Sequence, residues 1–270
     1  MLRPALAQLA AVESLVDSAR GRVRPALLNV AQQWAQFVGW LCRDTGDLTG
    51  ARTRCAQAFE WAVELGDQTM TATILVDRCY MVGEAGKVGA MIGLAQAAQR
   101  DPSAASGQRA LAAGLEARGH AMARNLATAE RKLDQSRALA ATVADRPQDV
   151  RPWSYWMTPL FFQYEAGITC AYLAGAAPRW HSRAIELLEA KPATGGLALW
   201  TAAANLTHLT FAHAQAGDLA EACATALRAL EVVRLAGSVR HAAMLAHVHA
   251  NLHARYPDDA RVNELAEALR

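Results

Sequence analysis

The sequence predicts an all-α protein, an α-solenoid of antiparallel helix hairpins with about thirteen helices. Three observations predict it. The first is composition. Of 270 residues, 53% are hydrophobic and 19% charged, enough apolar mass for a large core. Aromatics are only 6%, and Ile occurs four times (Ile74, Ile92, Ile168, Ile185). A large sheet wants β-branched and aromatic residues, whereas Ala, Leu, Arg, Glu and Gln favour helix. The second is a recurring turn: Gly46-Asp47, Ala85-Gly86, Asn125 and Gly217-Asp218 each precede a new helix. The third is the face that follows. Ala51, Ala90, Ala129 and Ala222 come shortly after the turn, the first three spaced 39 apart. An apolar position follows four residues on (Cys55, Leu94, Leu133, Ala226), and a further one at Ala58, Ala97, Ser136 and Ala229. That spacing puts all three on one helix face.

Each element then follows in order. Residues 2–20 form a first helix, ended by Gly21. Residues 25–44 and 48–65 pair, as do 68–84 and 88–99, the latter closed by Asp101-Pro102. Residues 104–123 and 126–144 follow, then the longest loop, marked by Arg146-Pro147 and Arg151-Pro152. Residues 153–174 and 179–190 come next, ended by Lys191-Pro192; 197–216 and 219–236 form the most regular hairpin. Residues 238–255 and 259–269 close the chain, split by Tyr256-Pro257. In each Gly-Asp turn, glycine ends one helix in a left-handed cap and the carboxylate caps the next. One hairpin cannot bury its own apolar face, so hairpins must stack. The whole of 1–270 reads as a single repeat domain, with 1–24 a capping helix and 238–270 a capping hairpin.

Several functions are excluded by simple chemistry. A net charge of +2 without a basic cluster is no nucleic-acid footprint, so this chain alone is expected to bind none. No apolar run is long enough to span a membrane. Five scattered cysteines (Cys42, Cys55, Cys79, Cys170, Cys223) form no CxxC pair and point to reduced thiols in the cytoplasm. Glu13 and Asp17 break the apolar N-terminal stretch, and no signal-peptide pattern follows. Gly83-Glu-Ala-Gly86 and Gly195-Gly196 follow no strand and are turns, not phosphate cradles.

The hairpins LTHLTFAHAQAGDLAEACATALRAL (206–230) and FVGWLCRDTGDLTGARTRCAQAFEWA (37–62) resemble tetratricopeptide repeats. With LEARGHA (115–121) and RVNELAEALR (261–270), the chain is similar to the C-terminal repeat region of actinobacterial transcriptional regulators carrying a helix-turn-helix of the xenobiotic-response-element type. It departs from them in two ways: residue 1 already lies in the repeats, so no helix-turn-helix is expected here, and Gly175-Ala-Ala-Pro178 replaces one Gly-Asp turn. The resemblance implies a non-enzymatic sensor domain whose ligand binding feeds transcriptional control.

In a stack of hairpins the first helix of each pair lines a concave face. Helical phase directs Gln36, Trp40 and Arg43 there, then Ala72, Leu75 and Cys79, then Arg118 and Met122. Glu165, Thr169 and Tyr172 follow, then Thr207, Phe211 and Gln215. This lining suits a peptide, a partly apolar small molecule or a partner protein; alternatively Trp40 and Phe211 pack within hairpins. The aromatic run 151–164, with Trp153, Tyr155, Trp156, Phe161, Phe162 and Tyr164, exceeds what one helix face buries. Part of it, Trp156 included, is expected to meet a ligand or a second subunit in a homodimer; the alternative is core filling. His120 stands four residues from Glu116, as an acid/base pair or as a helix-stabilising contact. His249 and His253 share a face and can hold a metal only with a third ligand, for which His208, His213 and Asp258 are the nearby choices; solvated histidines are the alternative. No catalytic residue, metal or cofactor is assigned. The competing readings are thus a binding domain, a scaffold or homodimerisation module, and an enzyme or metal protein.

Overall fold

A computed structural model describes residues 1–145, 150–189 and 198–270. Among them are thirteen α-helices and no strand. They are α1 (Leu2–Ser18), α2 (Val23–Asp44), α3 (Leu48–Leu65), α4 (Gln68–Glu84), α5 (Val88–Ala98), α6 (Ser106–Met122) and α7 (Leu126–Asp145). Then come α8 (Pro159–Ala174), α9 (His181–Glu189), α10 (Ala198–Ala216), α11 (Leu219–Ala236), α12 (Val239–Arg255) and α13 (Ala260–Ala268). The breakers at Arg146-Pro147 and Lys191-Pro192 and the turn at Gly195-Gly196 lie outside the described residues. No described helix is long and apolar enough to cross a membrane.

One expected helix starts late. The segment 153–174 becomes helical only at Pro159, after a short 3-10 turn at Pro152–Ser154. Thr158 is extended (φ −93°, ψ 164°), and its hydroxyl accepts from the Phe161 N–H. A residue before proline is driven out of the helical region, and proline suits the first helical turn. Trp153, Tyr155 and Trp156 therefore precede α8, and only Phe161, Phe162 and Tyr164 ride on it.

The turns follow their local chemistry. Gly46, Gly66 and Gly217 have φ of 86°, 67° and 78°, where only glycine escapes a Cβ clash. The Asp47 carboxylate accepts from the Gly50 N–H at 2.8 Å, and the Asp47 N–H reaches back to the Cys42 carbonyl at 2.8 Å. Asp67 and Asp218 cap α4 and α11 in the same way. The third repeat instead puts Arg124 in the left-handed region, at φ 59°.

Within hairpins the small-residue face is the contact. Ala51, Cys55 and Ala58 are buried, as are Ala129 and Leu133, and Ala222, Ala226 and Ala229. The second repeat departs by one residue: Ala90 is exposed, and Met91, Ala95 and Ala98 form the buried face. Gly83 of α4 explains the shift. A Cβ there would sit 2.8 Å from Met91 Sδ, so the missing side chain makes room for a methionine at the crossing.

Consecutive helices pack as hairpins, α2 with α3 through α10 with α11. The even-numbered helices α2, α4, α6, α8, α10 and α12 also each touch the next, and α12 touches α2. Six helices thus form a closed circuit of contacts around a shared interior. The odd-numbered α3, α5, α7, α9 and α11 each back one even helix and lean on the following one. Helix α1 covers α2, and α13 covers α11 and α12.

Candidate functional site

The interior is charged and aromatic. Gln36 of α2 donates to Asp77 of α4 at 2.8 Å. Two turns further along both helices, Arg43 forks onto Glu84, with Nε 3.1 Å from Oε2 and Nη2 2.5 Å from Oε1. Tyr80 lies between two cations, its ring 4.7 Å from the Arg43 guanidinium and 5.9 Å from that of Arg118 on α6. Arg118 donates to Glu165 of α8 at 2.7 Å and approaches the Tyr172 ring at 5.9 Å. Tyr172 in turn meets Phe211 of α10, with centroids 5.0 Å apart. The Tyr164 hydroxyl of α8 lies 2.8 Å from His208 Nδ1 on α10.

The circuit closes through α12. Arg240 lies 3.4 Å from Asp44 and 3.5 Å from Glu84, and stands over the Trp200 ring at 5.7 Å. Trp200 meets Trp40 edge-on at 4.8 Å and His241 at 5.7 Å. Ser238 donates its only hydroxyl proton to Asp44 at 2.7 Å. His241 Nδ1, 2.9 Å from the same hydroxyl, must therefore donate to it. A neutral His241 then carries a bare Nε2, which has no partner among the described residues and can only accept.

Electrostatics follow from this crowding. Burial and the positive charge of Arg240 push His241 far below the ordinary imidazole range. Burial takes His208 down to about 3, and Arg118, Arg240 and Arg43 push the same way. Both rings are neutral at pH 7. Burial also raises Asp77, to about 6, against the opposing Gln36 hydrogen bond and the charge of Arg43. Burial and the like charge of Arg43 lower Arg240. Burial alone would raise Glu84, but Arg43 holds it below the usual carboxylate range.

The predicted lining is only partly what gathers here. Gln36, Trp40, Arg43, Arg118, Glu165, Tyr172 and Phe211 join the cluster. Cys79 and Thr169 do not. Cys79 is fully buried with Sγ 3.6 Å from the Met91 carbonyl, and Thr169 donates to the Glu165 carbonyl at 3.0 Å. For Cys79 an interior tyrosine, Tyr80, stands one residue on; an error of one position turns a side chain by about 100°. Ala72 and Thr207 are likewise buried, not lining. Trp156 packs edge-on to Phe161 at 4.8 Å, at the end of α4, α5 and α6. Leu75 and Met122 join that same apolar cluster, and Gln215 abuts Gly175. Sequence reasoning missed Asp44, Asp77, Tyr80, Glu84, Tyr164, Trp200, His208, Arg240 and His241 as a group. One signal was available: Gln36 with Asp77 and Arg43 with Glu84 share a separation of 41 residues.

The other candidates sit elsewhere. Glu116 is 2% exposed and accepts from Gln96, Gln99 and Lys132, with His120 Nε2 3.8 Å away. Burial raises its carboxyl, but those three donors outweigh it and hold the group ionised. Three hydrogen bonds, one of them from an ammonium, make it an anchor between α5, α6 and α7. His249 and His253 stack at 5.8 Å, and His249 Nε2 lies 3.2 Å from the Val262 carbonyl. Among the described residues, no three of His, Cys, Asp and Glu stand close enough to hold a metal ion. All five cysteines are free and buried. The chain matches no protein-family model and no curated protein.

Proposed function

We propose that this chain is a non-enzymatic binding domain: an α-solenoid of tetratricopeptide-like hairpins that takes a peptide or small molecule among the charged and aromatic side chains of its interior. The observation that carries this reading is the gathering of Arg43, Arg118 and Arg240, from α2, α6 and α12, around Tyr80, Tyr172 and Trp200. Buried ion pairs add little to stability compared with apolar packing of the same volume. Their presence inside an otherwise Ala- and Leu-rich protein therefore favours recognition over support. The chemistry on offer selects a planar, partly apolar ligand with carboxylate or carbonyl acceptors for the arginines. Binding would favour one curvature of the stack over another, through its different affinity for the two. In the regulators this sequence resembles, such a change would reach a DNA-binding segment.

Native mass spectrometry of the protein purified from its own host tests this. The expected result is a retained added mass that is lost in Arg118→Met. A bare polypeptide mass, with small-angle scattering unaltered by host small-molecule extract, would overturn it. A second reading, a scaffold or homodimer, is favoured by the exposure of Tyr155 (66%) ahead of α8 and of Leu235 (75%) and Val239 (54%) around the α11–α12 turn. Light scattering at high concentration separates the two: a strict monomer removes the dimer.

A further inference from the structure

We propose that the α2/α12 seam is a latch: the helix circuit opens and closes there, and access to the interior is regulated by that movement. This rests on the interior being the binding surface, and the experiment below separates the two ideas. Every other joint between neighbouring even-numbered helices has an odd-numbered helix spanning it. Helix α3 packs on both α2 and α4, α5 on α4 and α6, and so on to α11 on α10 and α12. Among the described residues the α12/α2 joint has no such helix, and Asp44 and Ser238 on its two sides are 194 residues apart.

Its chemistry differs too. The other joints are polar on their inner side but also border apolar clusters, whereas this one carries Ser238 to Asp44, Arg240 to Asp44 and Arg240 to Glu84, with Trp200 of α10 edge-on to Trp40 beside it. Asp44 is 6% exposed and receives two of these contacts. Joints with few apolar contacts open at lower free energy than cores. Opening this one would bare Arg43, Arg240, His241 and Trp200, which face each other across or beside it.

The turn at Gly46 supplies the tool. A Cβ on Gly46 would lie 3.8 Å from Val239 Cβ, at the usual ~3.8 Å separation of a disulfide. The native cysteines are all buried, so Gly46→Cys/Val239→Cys can be cross-linked selectively. Each single variant controls for the left-handed φ of Gly46. Hydrogen exchange is then followed by mass spectrometry on the full chain without ligand. The disulfide is expected to slow exchange in 41–47 and 238–245 at least severalfold while leaving α6 and α7 unchanged, and reduction should restore it. Asp44→Asn should accelerate the same two segments by about tenfold, the change that loss of one charged hydrogen bond brings. Equal acceleration of α6 and α7, or no slowing on cross-linking, would overturn the latch. If the seam moves but protein from the host carries no added mass, the latch stands and the binding function falls.

Discussion

The hairpin seams and the interior of the circuit both join helices, with opposite chemistry. At the α10/α11 and α2/α3 seams, small residues such as Ala226, Ala229, Ala51 and Ala58 let two helices approach, and the buried Thr207 and Thr210 hydroxyls of α10 bond within their own helix. Across the interior, long side chains span from helix to helix: Arg43 to Glu84, Arg118 to Glu165, Tyr164 to His208. A seam of alanines is insensitive to partner identity. An interior of paired charges is satisfied only if every helix stands at its own distance. The first arrangement makes a generic stack, and the second makes it specific.

That contrast can be broken most visibly at Arg118. Arg118→Leu should cost about 3–5 kcal/mol, because Glu165 is left buried and unpaired, while Arg118→Leu/Glu165→Leu should be close to wild type or better. Urea denaturation of the three proteins decides it. Equal losses in the single and double variants would mean the pair itself holds the fold. Asp77 sharpens the same point through pH. Its carboxyl is raised to about 6, above the ordinary aspartate range, so the folded state binds this proton more tightly than the unfolded chain. The associated cost is absent below about pH 4, grows through pH 6 and is complete above it. Asp77→Asn should therefore stabilise by about 1–3 kcal/mol at pH 7.5 and by nothing near pH 4. A pH-independent effect in thermal melts would refute the assignment.

The turns, which belong to the generic half, predict smaller effects. Asp47→Ala removes the cap of α3 and should cost about 1 kcal/mol. Arg124→Gly should move the other way, adding about 0.5–1 kcal/mol by relieving the left-handed backbone at φ 59°. Melting curves of both, alongside Arg118→Leu, rank the two regions directly.

Much of the fold was legible because helices end where local chemistry says. Gly46-Asp47, Gly66-Asp67 and Gly217-Asp218 place their boundaries within a residue, and most of the other expected helices agree to within two. The exception at 153–158 was legible in principle, since Thr158-Pro159 is a start signal on its own. The site was half legible. Gln36, Trp40 and Arg43 were found because the Gly46-Asp47 turn fixes where α2 ends, at Asp44. Cys79 was chosen over Tyr80 although Asp77 and Glu84, three residues before and four after Tyr80, mark the inward side of α4. The shift from Ala90 to Met91 has a different origin: it depends on Gly83, in another helix.

Taken alone, then, the chain's chemistry determined where helices start and stop and that neighbours in sequence pair, because caps, turns and small-residue faces act over a few residues. Which side of each helix looks inward, and that α12 returns to meet α2 through Ser238 and Asp44, was decided only by the assembled structure. Small rotations at each successive hairpin add up around the circuit, and no local signal carries their sum.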